Sequence, residues 1–211
     1  MSITIAYWNV RGKCFVPRCL LHMTGRTIDY KNYQSPEQWA ADKFALGLDA
    51  PNLPYLINKD VKLTQTAAIC NYICHKYLPH LLPQDIATST QSEMWQGVAE
   101  DVSMRVAMAV MSTINDDESY AKKSEEVRDW FQKLTPSIDT QLSKREYLVS
   151  DEFLLCDAHF FNAMEFVQAF DEKLVTPNMK AYMKHVSEYP EVKAFLESPH
   201  CIRSPFLPFR L

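Results

Sequence analysis

Residues 2–32 read SITIAYWNVRGKCFVPRCLLHMTGRTIDYKN, and the architecture of the first part of the chain follows from this stretch. Its two ends, 2–8 and 26–32, combine β-branched and aromatic side chains in the manner of strands. Residues 15–24 between them carry an apolar face at helical spacing, with Pro17 in the first turn, where its missing N–H leaves no hydrogen bond unmade. Strand, helix and strand in this order make a βαβ unit.

Working outward, Ser35-Pro36-Glu37-Gln38 supplies an N-cap serine, a proline at the first helical position and a glutamine at the third, which starts a short helix running through Trp39 and Lys43. Residues 54–57 and 61–64 read as strands joined by the turn Asn58-Lys59-Asp60. A helix is predicted over 66–77, and Pro79 and Pro83 mark its end and a linker. Beyond the linker helical periodicity takes over, near 88–113, 118–142, 154–170, 175–187 and 190–198, interrupted by polar stretches such as 112–117. The predicted fold is therefore an α/β domain over 1–82 with a thioredoxin-like βαβ, helix, ββ, helix order, followed by an all-α helical bundle domain over 88–211.

Composition excludes several classes of function. With 211 residues, of which 47% are hydrophobic and 23% charged, the chain buries a substantial core. A net charge of −4 without runs of lysine or arginine argues against a nucleic-acid surface. No apolar stretch is long enough to span a bilayer, and the opening residues lack the pattern of a signal peptide, so a cytoplasmic location is expected. The six cysteines form no CxxC pair and are expected to be reduced and structural. Cys70, Cys74 and His75 offer the start of a soft-metal site, but no second ligand pair accompanies them, and no metal is expected.

Three linked motifs carry chemistry. Tyr7-Trp8-Asn9-Val10-Arg11-Gly12 lies at the end of the first strand. Phe44-Ala45-Leu46-Gly47-Leu48-Asp49 runs into Pro51-Asn52-Leu53-Pro54-Tyr55-Leu56, and Lys62-Leu63-Thr64-Gln65-Thr66 leads into the third helix. In this order they resemble the glutathione-binding half of the cytosolic glutathione S-transferases of mu class. The helical half resembles the same family more diffusely, through Asp101, Tyr147-Leu148, Asp157 and Tyr189-Pro190.

The resemblance implies a glutathione transferase fold and an enzyme that conjugates the activated thiolate of reduced glutathione to hydrophobic electrophiles, a detoxifying reaction. Reduced glutathione is then a co-substrate, no cofactor is permanently bound, and the working form is a homodimer. Tyr7 becomes the catalytic residue. A phenol at a strand end can donate a hydrogen bond to a bound thiolate, and since a free thiol ionises near pH 8.5, a shift of one or two units supplies most of the available gain. Trp8, Trp39, Lys43 and Asn52 are implied on the glycyl side of glutathione, and Leu53 pairs with its cysteinyl amide because Pro54 matches the family's cis-proline. Gln65 and Thr66 stand where a strand gives way to a helix, whose unpaired N–H groups and dipole suit the γ-glutamyl carboxylate. Asp101 matches the acid that reaches the partner subunit's glutathione, and Met104, Met108, Met111 and Phe206 are implied at the electrophile site. The segment 205–209 is expected to close over that site.

Four departures from the family accompany this. Pro36 stands where an arginine contacts glutathione, and Lys13 is a candidate replacement. Ala50 stands where an aromatic residue inserts into the partner subunit, at a cost of a few kcal/mol in interface energy. Met111 replaces a tyrosine of the electrophile pocket, and Leu154 replaces the serine or threonine N-cap that would pair with Asp157, a loss of about 1 kcal/mol. These leave two alternatives open: a glutathione-dependent isomerase, and a non-catalytic ligand-binding or structural protein on a transferase scaffold.

Overall fold

The computed structural model describes residues 2–59, 61–113 and 116–207. The chain divides into two compact units, Met1–Pro79 with Pro190–Pro205, and His80–Tyr189 with Phe206–Leu211.

In the first unit, β1 (Ile3–Trp8) buries Ile3, Ile5 and Ala6 and leads through a 3-10 turn (Gly12–Cys14) into α1 (Phe15–Met23). β2 (Ile28–Tyr33) returns parallel to β1 and places Asn32 beside Tyr7. α2 (Pro36–Lys43) begins as its sequence dictates. The Ser35 side chain accepts from the Gln38 N–H at 3.4 Å, and Gln38 Oε1 accepts from the Gln34 N–H at 2.9 Å. β3 (Tyr55–Asn58) and β4 (Val61–Thr64) form an antiparallel hairpin whose Lys59 has a φ of 49°. Asp60, the last residue of the expected turn, lies outside the described residues. The sheet is four-stranded, in the order β2-β1-β3-β4, with β3 antiparallel to β1. The helix α3 (Thr66–Tyr77) packs on α1 through buried Ile69, Cys70, Ile73 and Cys74.

The second unit is helical. Its long elements are α4 (Ile86–Met111), α5 (Asp117–Leu142), α6 (Leu155–Phe170) and α7 (Pro177–Glu188). Asp85, Asp116 and Thr176 cap three of them by accepting from N–H groups three residues on. The central helix α6 lacks that device, since Leu154 has no acceptor in its side chain. Asp157 covers for it from inside, accepting from the N–H groups of Leu148 and Leu154, both at 2.9 Å, and from the Tyr182 hydroxyl at 3.0 Å.

The last helix, α8 (Pro190–Glu197), belongs by its packing to the first unit, although it follows the helical run in sequence. The reason is Phe195, fully buried against α1 with its ring 5.4 Å from Phe15 and 5.6 Å from His22.

Candidate functional site

After Trp8 the chain must turn sharply to begin α1, and Gly12 makes this possible at a φ of +42°. Absence of a side chain matters here for a second reason. A Cβ on Gly12 would lie 2.6 Å from Cε1 of Tyr7 and 2.9 Å from its hydroxyl oxygen, so the phenol rests on bare backbone. The same turn is anchored from both flanks. The Arg11 side chain is buried with its guanidinium 3.5 Å over the Phe15 ring, and its N–H donates to the Pro205 carbonyl at 2.9 Å.

Tyr7 and Trp8 pack against a buried cluster of Ala6, Tyr33, Trp39, Leu48, Leu53 and Tyr55. Trp39 is part of that core at 9% exposure, its ring 5.3 Å from Tyr33 and 6.1 Å from Tyr55. The helix that carries it is braced to the sheet by a polar relay. Lys31 and the Tyr33 hydroxyl both donate to Asp42 Oδ2, at 2.5 and 2.7 Å, so the Tyr55 hydroxyl is left to donate to Tyr33 at 3.2 Å. Lys31 holds the Asp42 carboxyl below its ordinary range, with help from Tyr33. At the end of α2, the Lys43 ammonium sits 5.3 Å over the exposed Phe44 ring. The following loop turns at Gly47, φ +64°, and Lys62 pins it by donating to the Leu46 carbonyl at 2.7 Å.

Asn52 is exposed, Leu53 and Pro54 are buried, and the peptide between the last two is cis. Gln65 is exposed with its backbone at φ 69°, ψ 122°, a region L-residues rarely occupy. It directly precedes α3, and its side chain makes no capping hydrogen bond, so the first N–H groups of α3 have no side-chain cap from it. Thr66 is half-buried and its hydroxyl donates to the Lys13 carbonyl at 3.2 Å, joining the start of α3 to the turn that holds Tyr7. The hydroxyl proton is thus already engaged, which leaves the backbone N–H as the readier donor to an incoming carboxylate. Lys13 itself is exposed.

The buried thiols of the first unit are poor nucleophiles. Cys14 is fully buried, and burial pushes its pKa up to about 11 despite the nearby Arg18. Burial likewise raises Cys70 and raises Cys74 to about 12, while His75 points to the exposed side of α3.

In the second unit, Asp101, Met104, Met108 and Met111 lie along α4. Asp101 is exposed, Met104 half-buried, and Met108 and Met111 are 61% and 46% exposed, so an apolar strip is presented to solvent. Phe206 packs edge-on against Phe166 of α6 with centroids 5.2 Å apart. Pro208 and Phe209, the far end of the expected closing segment, lie outside the described residues.

The fold therefore gathers Tyr7, Trp8, Trp39 and Leu53 in one cluster and ties Thr66 to the same corner through Lys13. Lys43 is half-buried and Asn52 and Gln65 are exposed in that unit, while Asp101 and the methionines belong to the other. Nothing in the motif itself marks Gly12 as a positioning residue. With only four glycines in the chain, one placed four residues past the end of the strand carrying Tyr7 is the available signal.

Comparison with known proteins agrees with the arrangement. Residues 3–75 match the family model of the glutathione S-transferase N-terminal domain, and residues 100–199 that of the C-terminal domain. Glutathione S-transferase Mu 1 of Macaca fascicularis is 28% identical over 214 residues, covering 97% of this chain and 95% of that protein. Glutathione S-transferase Mu 4 of Homo sapiens is similar to the same degree and extent. Among solved structures, the glutathione S-transferase Blo t 8 shares the fold with a TM-score of 0.86 at 23% identity, over 99% of both chains.

Proposed function

This chain is a mu-like member of the glutathione S-transferase family and a glutathione transferase, and we propose that Tyr7 is the residue that activates its thiol substrate. The observation that carries this reading is the seat of Tyr7: a phenol at a strand end, held on the bare backbone of Gly12 beside Trp8, Trp39 and Leu53. A hydroxyl fixed there donates to the thiolate sulfur and stabilises the charged form over the neutral one. A hydrogen bond to a charged acceptor contributes about 1.5–3 kcal/mol, which corresponds to roughly one to two pKa units. The thiolate then attacks the electrophile, forming the carbon–sulfur bond as the leaving group departs with its electron pair and takes up a proton.

The tripeptide lies along the first unit in this reading. Leu53, before the cis Pro54, pairs with its cysteinyl amide, and the Thr66 N–H and the start of α3 receive the γ-glutamyl carboxylate beside Gln65. Trp8, Trp39, Lys43 and Asn52 face the glycyl carboxylate, with only the indole edge of the buried Trp39 offered to it. Met104, Met108, Met111 and Phe206 form an adaptable apolar surface for the electrophile, since methionine side chains reshape at little cost. No cofactor takes part besides reduced glutathione itself.

A homodimer in the cytosol is the working unit of this proposal. Asp101 is supported in its role toward the partner's glutathione by its exposure on α4. Asp101→Asn should raise KM for glutathione several-fold and leave kcat for a saturating electrophile unchanged. A Ala50 chain lacks the aromatic insertion, so the dimer is expected to dissociate at higher concentration than its mu-type relatives, by sedimentation. The relatives lend no support to isomerisation or to a purely structural role.

The deciding experiment is the ultraviolet difference spectrum of bound glutathione across pH, for the wild type and for Tyr7→Phe. A bound thiol that ionises well below its free value, and moves back toward it in the variant, is the expected result. Binding without any thiolate signal would remove Tyr7 from catalysis and favour a carrier.

A further inference from the structure

One tyrosine outside the glutathione site has an environment that its neighbours do not share. Tyr72, half-buried on α3, has a hydroxyl oxygen that accepts from Asn58 Nδ2 at 2.9 Å and from the Lys76 ammonium at 2.8 Å. Asn58 is itself buried at the end of β3 and divides its amide between two phenols, donating to Tyr77 at 2.8 Å as well. The Tyr77 ring stands at 85° to that of Tyr72, and the Arg26 guanidinium covers it at 4.3 Å. Lys76 also lies 5.0 Å from the centre of the Tyr72 ring.

Two donors aimed at one phenol oxygen favour its anion. Loss of the proton keeps both bonds and makes each of them charge-assisted, while the lysine supplies the counter-charge. Burial opposes ionisation, yet Lys76, Asn58 and Tyr77 together bring the phenol below its ordinary value. Tyr30 and Tyr33 in the same unit are moved the other way, to about 12, chiefly by burial. The charged and titratable groups that face Tyr72 are thus Lys76 and Tyr77 from its own helix, and Arg26 across Tyr77 from the segment before β2.

We propose that Tyr72 is a nucleophilic phenol of this protein, an acceptor site for hard electrophiles that carry a good leaving group, of the sulfonyl or phosphoryl class. In the step, the phenolate oxygen attacks sulfur or phosphorus, the new oxygen–sulfur or oxygen–phosphorus bond forms, and the bond to the leaving group breaks with its electron pair. For a sulfonyl fluoride, fluoride departs and the phenol proton passes to water, so that the enzyme gains a sulfonate ester and one hydrogen fluoride is released. Hydrogen-bonded phenolate oxygen is a hard nucleophile, and the site complements a soft thiolate without drawing on it.

The test uses the full-length protein, an arylsulfonyl fluoride, and intact-mass and peptide mass spectrometry, with saturating glutathione present to shield Tyr7. A single adduct on Tyr72 is expected, with a rate that rises with pH to a midpoint below the value of about 10 for an ordinary tyrosine. Tyr72→Phe should lose the adduct. Lys76→Met, on an exposed residue, should slow labelling about tenfold for each unit by which it moves the midpoint upward. Circular dichroism of both variants is expected to match the wild type. Adducts spread over several tyrosines, an adduct on Lys76 in place of Tyr72, or a midpoint unmoved by Lys76→Met would each overturn the assignment.

Discussion

Gly12→Ala should damage catalysis far more than folding. The new Cβ would sit 2.6 Å from Cε1 and 2.9 Å from the hydroxyl oxygen of Tyr7. The closer contact is roughly 0.8 Å short of ordinary van der Waals separation, so one of the two groups has to retreat. Backbone is the stiffer partner, and the ring can swing on its side-chain torsions. The folding penalty is then mainly that of an L-residue at a left-handed φ, about 1–2 kcal/mol. For the chemistry the same movement is severe. Displacing the hydroxyl by that distance carries a hydrogen bond of ordinary length past 3.5 Å, where it no longer functions as one. Loss of about 1.5–3 kcal/mol of thiolate stabilisation raises the bound thiol by roughly one to two pKa units and lowers the rate at neutral pH about eight- to twenty-five-fold through the ionised fraction. Thiolate titration by ultraviolet difference spectroscopy measures the shift, and circular dichroism melting measures the folding cost. A double-mutant cycle completes the assay: in a Tyr7→Phe background, Gly12→Ala should leave the thiol pKa where Tyr7→Phe alone puts it. A folded Gly12→Ala enzyme with an unshifted thiol, or additive shifts in the double variant, would refute the argument.

Other outcomes follow from the same structure. Burial raises the Asp157 carboxyl from an ordinary 3.8 to about 6, against the hydrogen bonds from Leu148, Leu154 and Tyr182. Its folded form therefore holds a proton that the unfolded form releases, and stability from this group is fully present below pH about 4 and lost as pH rises through about 6, by about 3 kcal/mol. Urea titrations of wild type and Asp157→Asn across this window should converge toward higher pH by that amount, and a constant gap would show that Asp157 does not titrate there. His159 acts in the opposite sense, since burial lowers it to about 4; stability from it is lost as pH falls from about 6.5 toward 4, and the Asp157→Asn chain should show that slope exposed. Iodoacetamide should modify native protein at Cys201 and spare Cys14, Cys19, Cys70, Cys74 and Cys156, which are buried; carboxymethylated Cys14 in peptide maps would contradict this. Phe206→Ala removes an edge-on aromatic contact of about 0.5–1.5 kcal/mol and should raise KM for a hydrophobic electrophile two- to ten-fold without altering glutathione affinity, by steady-state kinetics and calorimetry.

Much of the architecture was legible because its signals are local. Ser35-Pro36-Glu37-Gln38 marks a helix start wherever it occurs, and the alternation in 2–8 and 61–64 points to strands without knowledge of their partners. What escaped depends on contacts between residues far apart in sequence. Trp39 suits a surface helix as well as a core, and only the approach of Tyr33 and Tyr55 decides for the core. α8 reads as one more helix of the helical run until Phe195 is seen against Phe15. Leu154 was legible as a missing cap, but not that Asp157 would also take the Leu148 N–H and the Tyr182 hydroxyl. The role proposed for Tyr7 rests on motif likeness, because a tyrosine at a strand end says nothing of the bare glycine beneath it.

Placement of α8 in the first unit also sets an order of events at the ribosome. The stretch His80–Tyr189 is continuous in sequence, so it can collapse while synthesis continues. The first unit cannot finish, because Phe195, and the Pro205 carbonyl that receives the Arg11 N–H, emerge well over a hundred residues after the turn and the helix α1 that they pack on. A nascent chain arrested just before α8 is expected to protect its helical half from protease and to be cut within its first seventy-nine residues. The half made first is then the half that waits, with its buried thiols open to the surrounding medium until the last turn of synthesis closes over them.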